Sequence, residues 1–228
     1  MDPLVLLDQA VAQEKVPRAV ARKVRLRMKY VQGAIDRVES ASGLKYPPYY
    51  IEPSLPMAKG GGEYGQVGIM YARVIPTVAA GSLIILVQFT AALVAFGTKA
   101  TIEAVAAHEF THYVDLVRKL SSKNIASDEQ ATTLYEASYA DTERTVAPKA
   151  LFAEKSLVSL VTKKFKAELV DQALNKKVSE QWLEKNLPTR WTGPEENVAR
   201  LGMEAVTSAK FDQAVLAKVA ELKGKMNG

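Results

Sequence analysis

From residue 3 to 41 apolar positions recur at helical spacing, interrupted near Pro17 and halted at 41-ASG-43, which predicts helices over this stretch. Between 44 and 73 the texture changes. The runs 46-YPPYYIEP-53 and 66-QVGIMYARV-74 are rich in β-branched and aromatic residues, punctuated by Pro and by Gly60, Gly61 and Gly62, and predict strands. The 25 residues of 74-VIPTVAAGSLIILVQFTAALVAFGT-98 carry no charge, and 83-LIILV-87 reads as a buried strand leading into a short buried helix. This segment is long enough to cross a bilayer. Pro76, Thr77, Gly81, Ser82, Gln88 and Thr90 interrupt it, so a membrane span is disfavoured.

A well-signalled helix follows from Lys99 to about Leu120. After the polar link 121-SSKNIAS-127, Ser127 with Gln130 forms a capping-box pattern for a second helix running to about Val146, where Pro148 stops it. Residues 149 to 226 read as helices, one from Lys149 to about Asn186 and another beginning at 192-TGPEE-196.

With 228 residues, 48% of them hydrophobic, the chain can bury a substantial core and is expected to form one domain of two lobes. The absence of cysteine removes disulfides, thiolate nucleophiles and Cys-ligated metals. Asp2 and Asp8 in an N-terminus without a basic region do not suit a secretory signal, so a cytoplasmic location is expected. The net charge of +5 is concentrated in 18-RAVARKVRLRMK-29, where six of twelve residues are basic. Such a run suits weak contact with nucleic-acid phosphates through Arg22, Arg25 and Arg27. The favoured reading is a solvated helix face, with Ala19, Val20, Val24, Leu26 and Met28 packing inward.

Both histidines of the chain fall in 106-AAHEFTHYVDLV-117, four residues apart, with Glu109 beside the first. On a helix, His108 and His112 lie one above the other and can converge on a single ion, and two imidazoles are good ligands for Zn²⁺. Chance placement of this pattern is a roughly one in 1,500 event for such a composition. The apolar stripe of the same helix runs through Ile102, Val105, Ala106, Tyr113, Leu116, Val117 and Leu120, and Glu109 falls within it. An acidic residue there is costly unless a cation compensates it. Ordinary packed histidines with a salt-bridged glutamate are the alternative.

His108-Glu109-Phe110-Thr111-His112 resembles the HExxH motif of the zincin metallopeptidases, specifically over about 83 to 145. The resemblance implies an α+β zincin-like fold over 1–228, with an N-terminal helical region (1–43), a small mixed β-sheet over the HExxH helix (44–120) and a mainly helical C-terminal lobe (121–228). It also implies a Zn²⁺-activated water attacking a peptide carbonyl, with Glu109 as general base. An edge strand, 82–88 or 66–73, would hold the peptide or protein substrate extended.

No third histidine remains, so the third metal ligand has to be a carboxylate, as in the gluzincin branch. Glu129, Glu136 and Glu143 lie on the second helix. His112 is about 12 Å before the turn, and in an antiparallel partner the residue at equal depth is close to Glu136. The run 136-EASYAD-141 is similar to the gluzincin acidic motif, although Asp141 comes five residues on rather than four. Glu196 is the rival. Asp115 is read either as a partner for an imidazole N–H or as a surface ion pair with Arg118. For the oxyanion donor, Tyr139 is preferred over Tyr135, an upstream tyrosine, Arg144, Arg190 or Arg200.

The expected function is zinc-dependent peptide hydrolysis, with His108, His112 and Glu136 as ligands. The alternative is a zinc-binding protein of the same fold that cleaves nothing and acts as a binding or nucleic-acid-associated module.

Overall fold

A computed structural model describes residues 2–59, 67–122, 146–165, 169–192 and 202–226. Two helices open the chain, α1 (Val5–Ala12) and α2 (Arg18–Ser42). Pro17 caps α2 in an extended conformation, where the missing N–H costs nothing. Gly43 ends the helix with φ 71°, a left-handed conformation suited to glycine, and donates its N–H to Glu39 O at 2.8 Å. The inward face of α2 consists of Ala21, Val24, Val31, Ala34, Ile35, Val38 and Ala41. Leu26 does not join it and is 65% exposed, because two residues past Val24 a side chain has turned about 200° to the far side. Ala19 also faces outward.

The uncharged segment is a hairpin and a helix. Strands β1 (Tyr49–Glu52), β4 (Ala72–Ala79) and β5 (Ser82–Thr90) form a mixed sheet in the order β1-β5-β4, with β1 parallel and β4 antiparallel to β5. Ala80 and Gly81, both at positive φ, make the two-residue turn between β4 and β5. Alternation along β5 buries Leu83, Ile85, Val87 and Phe89. β5 pairs with β4 along Ser82–Phe89 but with β1 only at Val87–Thr90, so the 82–88 candidate is flanked by two strands at its last two residues and by β4 alone before them. Of the 66–73 candidate, residue 66 lies outside the described residues, 67–69 form β3 (Val67–Ile69) and 72–73 begin β4.

A second three-stranded sheet, ordered β3-β2-β6, joins β2 (Leu55–Lys59) antiparallel to β3 and parallel to β6 (Thr189–Thr192). The single small sheet expected within 44–120 is therefore two sheets, and one strand comes from a stretch read as lying between helices. Pro188 sets the entry of β6, its carbonyl accepting from Leu55 N–H at 2.8 Å and from Trp182 Nε1–H at 3.0 Å.

The expected continuous helix from 149 to 186 is replaced by α5 (Pro148–Leu151), α6 (Lys155–Lys164) and α7 (Gln172–Val178), the last running into a π-helical turn at Ser179–Leu183. Phe152 and Phe165 adopt extended backbone and break the run, and Asp171 restarts it by accepting Leu174 N–H at 3.0 Å. Pro148 opens a helix as its first residue. Helices α8 (Met203–Thr207) and α9 (Gln213–Met226) complete the described chain.

Between β5 and the histidines lie α3 (Ala91–Phe96) and α4 (Lys99–Ser122). Thr90 Oγ1 accepts Leu93 N–H at 3.2 Å to start α3, and Thr98 Oγ1 accepts Thr101 N–H at 3.0 Å to start α4. α4 is central, packing against α2, α6, α9 and β4. Phe110 stacks on Tyr46 with centroids 5.4 Å apart, and Tyr46 stacks on Phe89 of β5 at 6.4 Å. The architecture is α+β with small sheets, and none of its described helices is long and apolar enough to cross a membrane.

Candidate metal centre

Because α4 is enclosed on several sides, its polar residues stand out. The predicted apolar stripe is buried throughout, from Ile102 to Leu120, and Glu109 lies within it at 6% exposure. Among the described residues no hydrogen bond or ion pair to the Glu109 carboxyl is found. Burial pushes that carboxyl up to about 8, so in the metal-free protein it holds its proton at neutral pH.

His108 and His112 lie half-buried on the adjoining face. Their Nε2 atoms are 3.0 Å apart, and the rings meet edge to face at 85°. Two nitrogens bound to one tetrahedral Zn²⁺ at 2.0–2.1 Å stand about 3.3 Å apart. The observed separation is close to that edge and also fits a hydrogen bond between one Nε2–H and the other ring. Burial lowers His108 to about 3, helped by the neighbouring His112. Burial also lowers His112 to about 4, partly countered by Asp115 and reinforced by Lys119. Both imidazoles are therefore neutral at pH 7, the form in which they ligate metals. This donor set fits two positions of a zinc ion.

Asp115 is fully buried, with Arg118 Nη2 at 2.5 Å and Lys119 Nζ at 2.9 Å. Its ion pair with Arg118 is real, but it is an interior pair and not the surface pair anticipated as one reading. Oδ2 faces Lys119 as an ion pair and, among the described residues, without the alignment of a hydrogen bond.

The third-ligand candidates Glu129, Glu136, Glu143 and Glu196 lie outside the described residues, as do Tyr135, Tyr139, Asp141, Arg144 and Arg200. Among the described residues no group of three potential ligands comes together. Arg190 is exposed on β6, near Tyr50. Of the upstream tyrosines, Tyr46 donates its hydroxyl to Ala106 O at 2.9 Å, and Tyr71 donates to Asn175 Oδ1 at 2.9 Å.

One neighbour of the pair went unanticipated. Phe165, at the end of α6, lies parallel to the His108 ring, with centroids 3.8 Å apart and planes 8° apart. Nothing local in the sequence marks it, since the contact joins residues far apart in the chain.

Within the basic run of α2, Arg18 and Arg22 are exposed, while three of the other basic residues are engaged within the molecule. Arg25 bonds Asp8, Arg27 donates to Val94 O at 2.7 Å and to Gly97 O, and Lys23 stands 4.3 Å from the centre of the Phe96 ring.

Comparison with known proteins finds no protein family, no curated protein and no solved structure that matches this chain.

Proposed function

We propose that the chain is a zinc-dependent peptidase of zincin type, with His108 and His112 as ligands through Nε2 and Glu136 as the third ligand in the gluzincin manner. The observation that carries the proposal is the convergence of two neutral imidazole nitrogens on the helix that also carries Glu109, a buried carboxyl with no described partner. When bound, Zn²⁺ supplies Lewis acidity toward a peptide carbonyl and acidifies water. Glu109 takes a proton from the attacking water and delivers it to the leaving amine. Its low-polarity surroundings keep it protonated in isolation, and a positive charge next to it favours the carboxylate form that a base requires.

The sheet above α4 supports the zincin-like reading of the fold. β4, an outer strand of the β1-β5-β4 sheet, packs against α4. Tyr139, one turn from Glu136 on the expected helix, would donate to the developing oxyanion. Engagement of Lys23, Arg25 and Arg27 within the fold favours this reading over a nucleic-acid module.

Metal analysis of protein purified without chelator should find close to one Zn²⁺ per chain, lost in H108A/H112A. Against a quenched-fluorescent peptide library, Glu109→Gln should retain the metal and lose at least about 100-fold in turnover. Retention of zinc by H108A/H112A would sink the proposal.

A further inference from the structure

We infer that Phe165 is a positioning residue for the His108 imidazole. It fixes the ring plane in which Nε2 turns toward His112. The inference rests on the reading of His108 and His112 as a metal-binding pair.

Rotation of an imidazole about its last side-chain torsion is broad and weakly restrained, so a ligand histidine needs a partner that holds its plane. A hydrogen bond to the second ring nitrogen is one means. Here a flat ring provides another, lying parallel to His108 at 3.8 Å and 8°. The plane so fixed is the one that meets His112 at 85° with the Nε2 atoms 3.0 Å apart. Phe165 is only half-buried, and its ring face covers the imidazole. The contact also has the right sign for a metal site. Cation binding at Nε2 withdraws electron density from the imidazole, and an electron-poor ring is attracted more strongly to the negative face of a phenyl ring.

Phe165 is itself anchored. It pairs with Leu169 as an antiparallel bridge, and Val170 N–H donates to Lys164 O at 2.8 Å. Lys164 Nζ donates to Asp171 Oδ2 at 2.6 Å, and Thr101 Oγ1 donates to the same oxygen at 2.6 Å. Thr101 and His108 sit about two turns apart on α4. The same short stretch of chain therefore grips the helix at two points, one polar and one aromatic.

With only two histidines in the chain, an imidazole ¹H–¹⁵N correlation spectrum contains two spin systems. In the metal-free wild type, one of them should show an upfield ring-current shift, and Phe165→Leu should abolish it. Zinc titration against a competing chelator should show about 10-fold weaker binding for Phe165→Leu. Phe165→Tyr should restore both the shift and the affinity, which a general packing defect would not allow. Unaltered affinity in a folded Phe165→Leu protein overturns the inference while leaving the metal site standing. If the wild type binds no zinc yet keeps the shifted resonance, the metal-site reading fails and the inference falls with it. Should Phe165→Leu fold poorly, Lys164→Met loosens the anchor with the ring in place, and unchanged zinc affinity there overturns the inference equally.

Discussion

Thr101 Oγ1 donates to Asp171 Oδ2 across 2.6 Å, so one carboxylate both caps α7 and holds the first turns of α4. Burial raises the Asp171 pKa, but hydrogen bonds from Lys164, Thr101 and the Leu174 N–H outweigh it, and the net shift is downward. A carboxyl depressed in the folded state contributes stability that is complete above its unfolded pKa of about 3.9 and is lost as pH falls through the folded value. Asp171→Asn should therefore destabilise by about 1–3 kcal/mol at pH 7. The gap between variant and wild type should narrow below about pH 4. Urea unfolding at a series of pH values checks this, and a gap that widened in acid would contradict it.

Glu109 illustrates stability given up at a site. A buried carboxyl without a described partner forgoes its hydration, and Glu109→Met keeps the shape while removing that penalty. The metal-free variant should gain about 1 kcal/mol. Denaturation midpoints in chelator measure it. A loss of stability would reveal a partner for the carboxyl.

The basic residues of α2 should divide sharply. Arg27 satisfies carbonyl groups at the end of α3, donating to Val94 O and Gly97 O, and Arg27→Ala should cost about 1–2 kcal/mol. Arg25 and Asp8 are both about half exposed, and Arg25→Ala should change stability by less than about 1 kcal/mol. Thermal melts of the two variants side by side test the contrast, and equal effects would contradict the capping role.

Gly97 should not tolerate a side chain. A Cβ there would stand 2.7 Å from Leu93 O and 3.2 Å from Leu93 Cδ1, so the backbone between α3 and α4 would have to move. Gly97→Ala should cost about 1–3 kcal/mol. Gly33, with nothing within 4 Å of an added Cβ, is the control, and Gly33→Ala within α2 should be neutral or stabilising.

The parts of the molecule visible in the sequence are those set by local spacing. The helix carrying His108 and His112 is legible because its stripe has a helical period, and Glu109 interrupts the stripe at a buried position. Pro17 and Gly43 bound α2 through their own backbone chemistry. What could not be read was non-local. Leu55 pairs with Thr189 across most of the chain, and neither segment carries a long enough alternation to announce a strand. Lysines and leucines from 149 to 186 have good helix propensity, yet Phe152 and Phe165 leave the helix to pack elsewhere. Tertiary packing overrode propensity there. Phe110 and Phe152 approach with centroids 6.3 Å apart, while Phe165 covers His108.

The parallel pairing of β2 with β6 also orders events in time. Strands β1, β4 and β5 with helix α4 can assemble from a continuous early stretch, whereas β2 waits for residues 189–192 before its ladder closes. Such a long loop closure is slow, so β2 exposes unpaired amides while much of the chain is still being synthesised. A fragment ending before Pro188 would lack β6 and leave that edge of β2 open, a backbone edge on which another strand can pair.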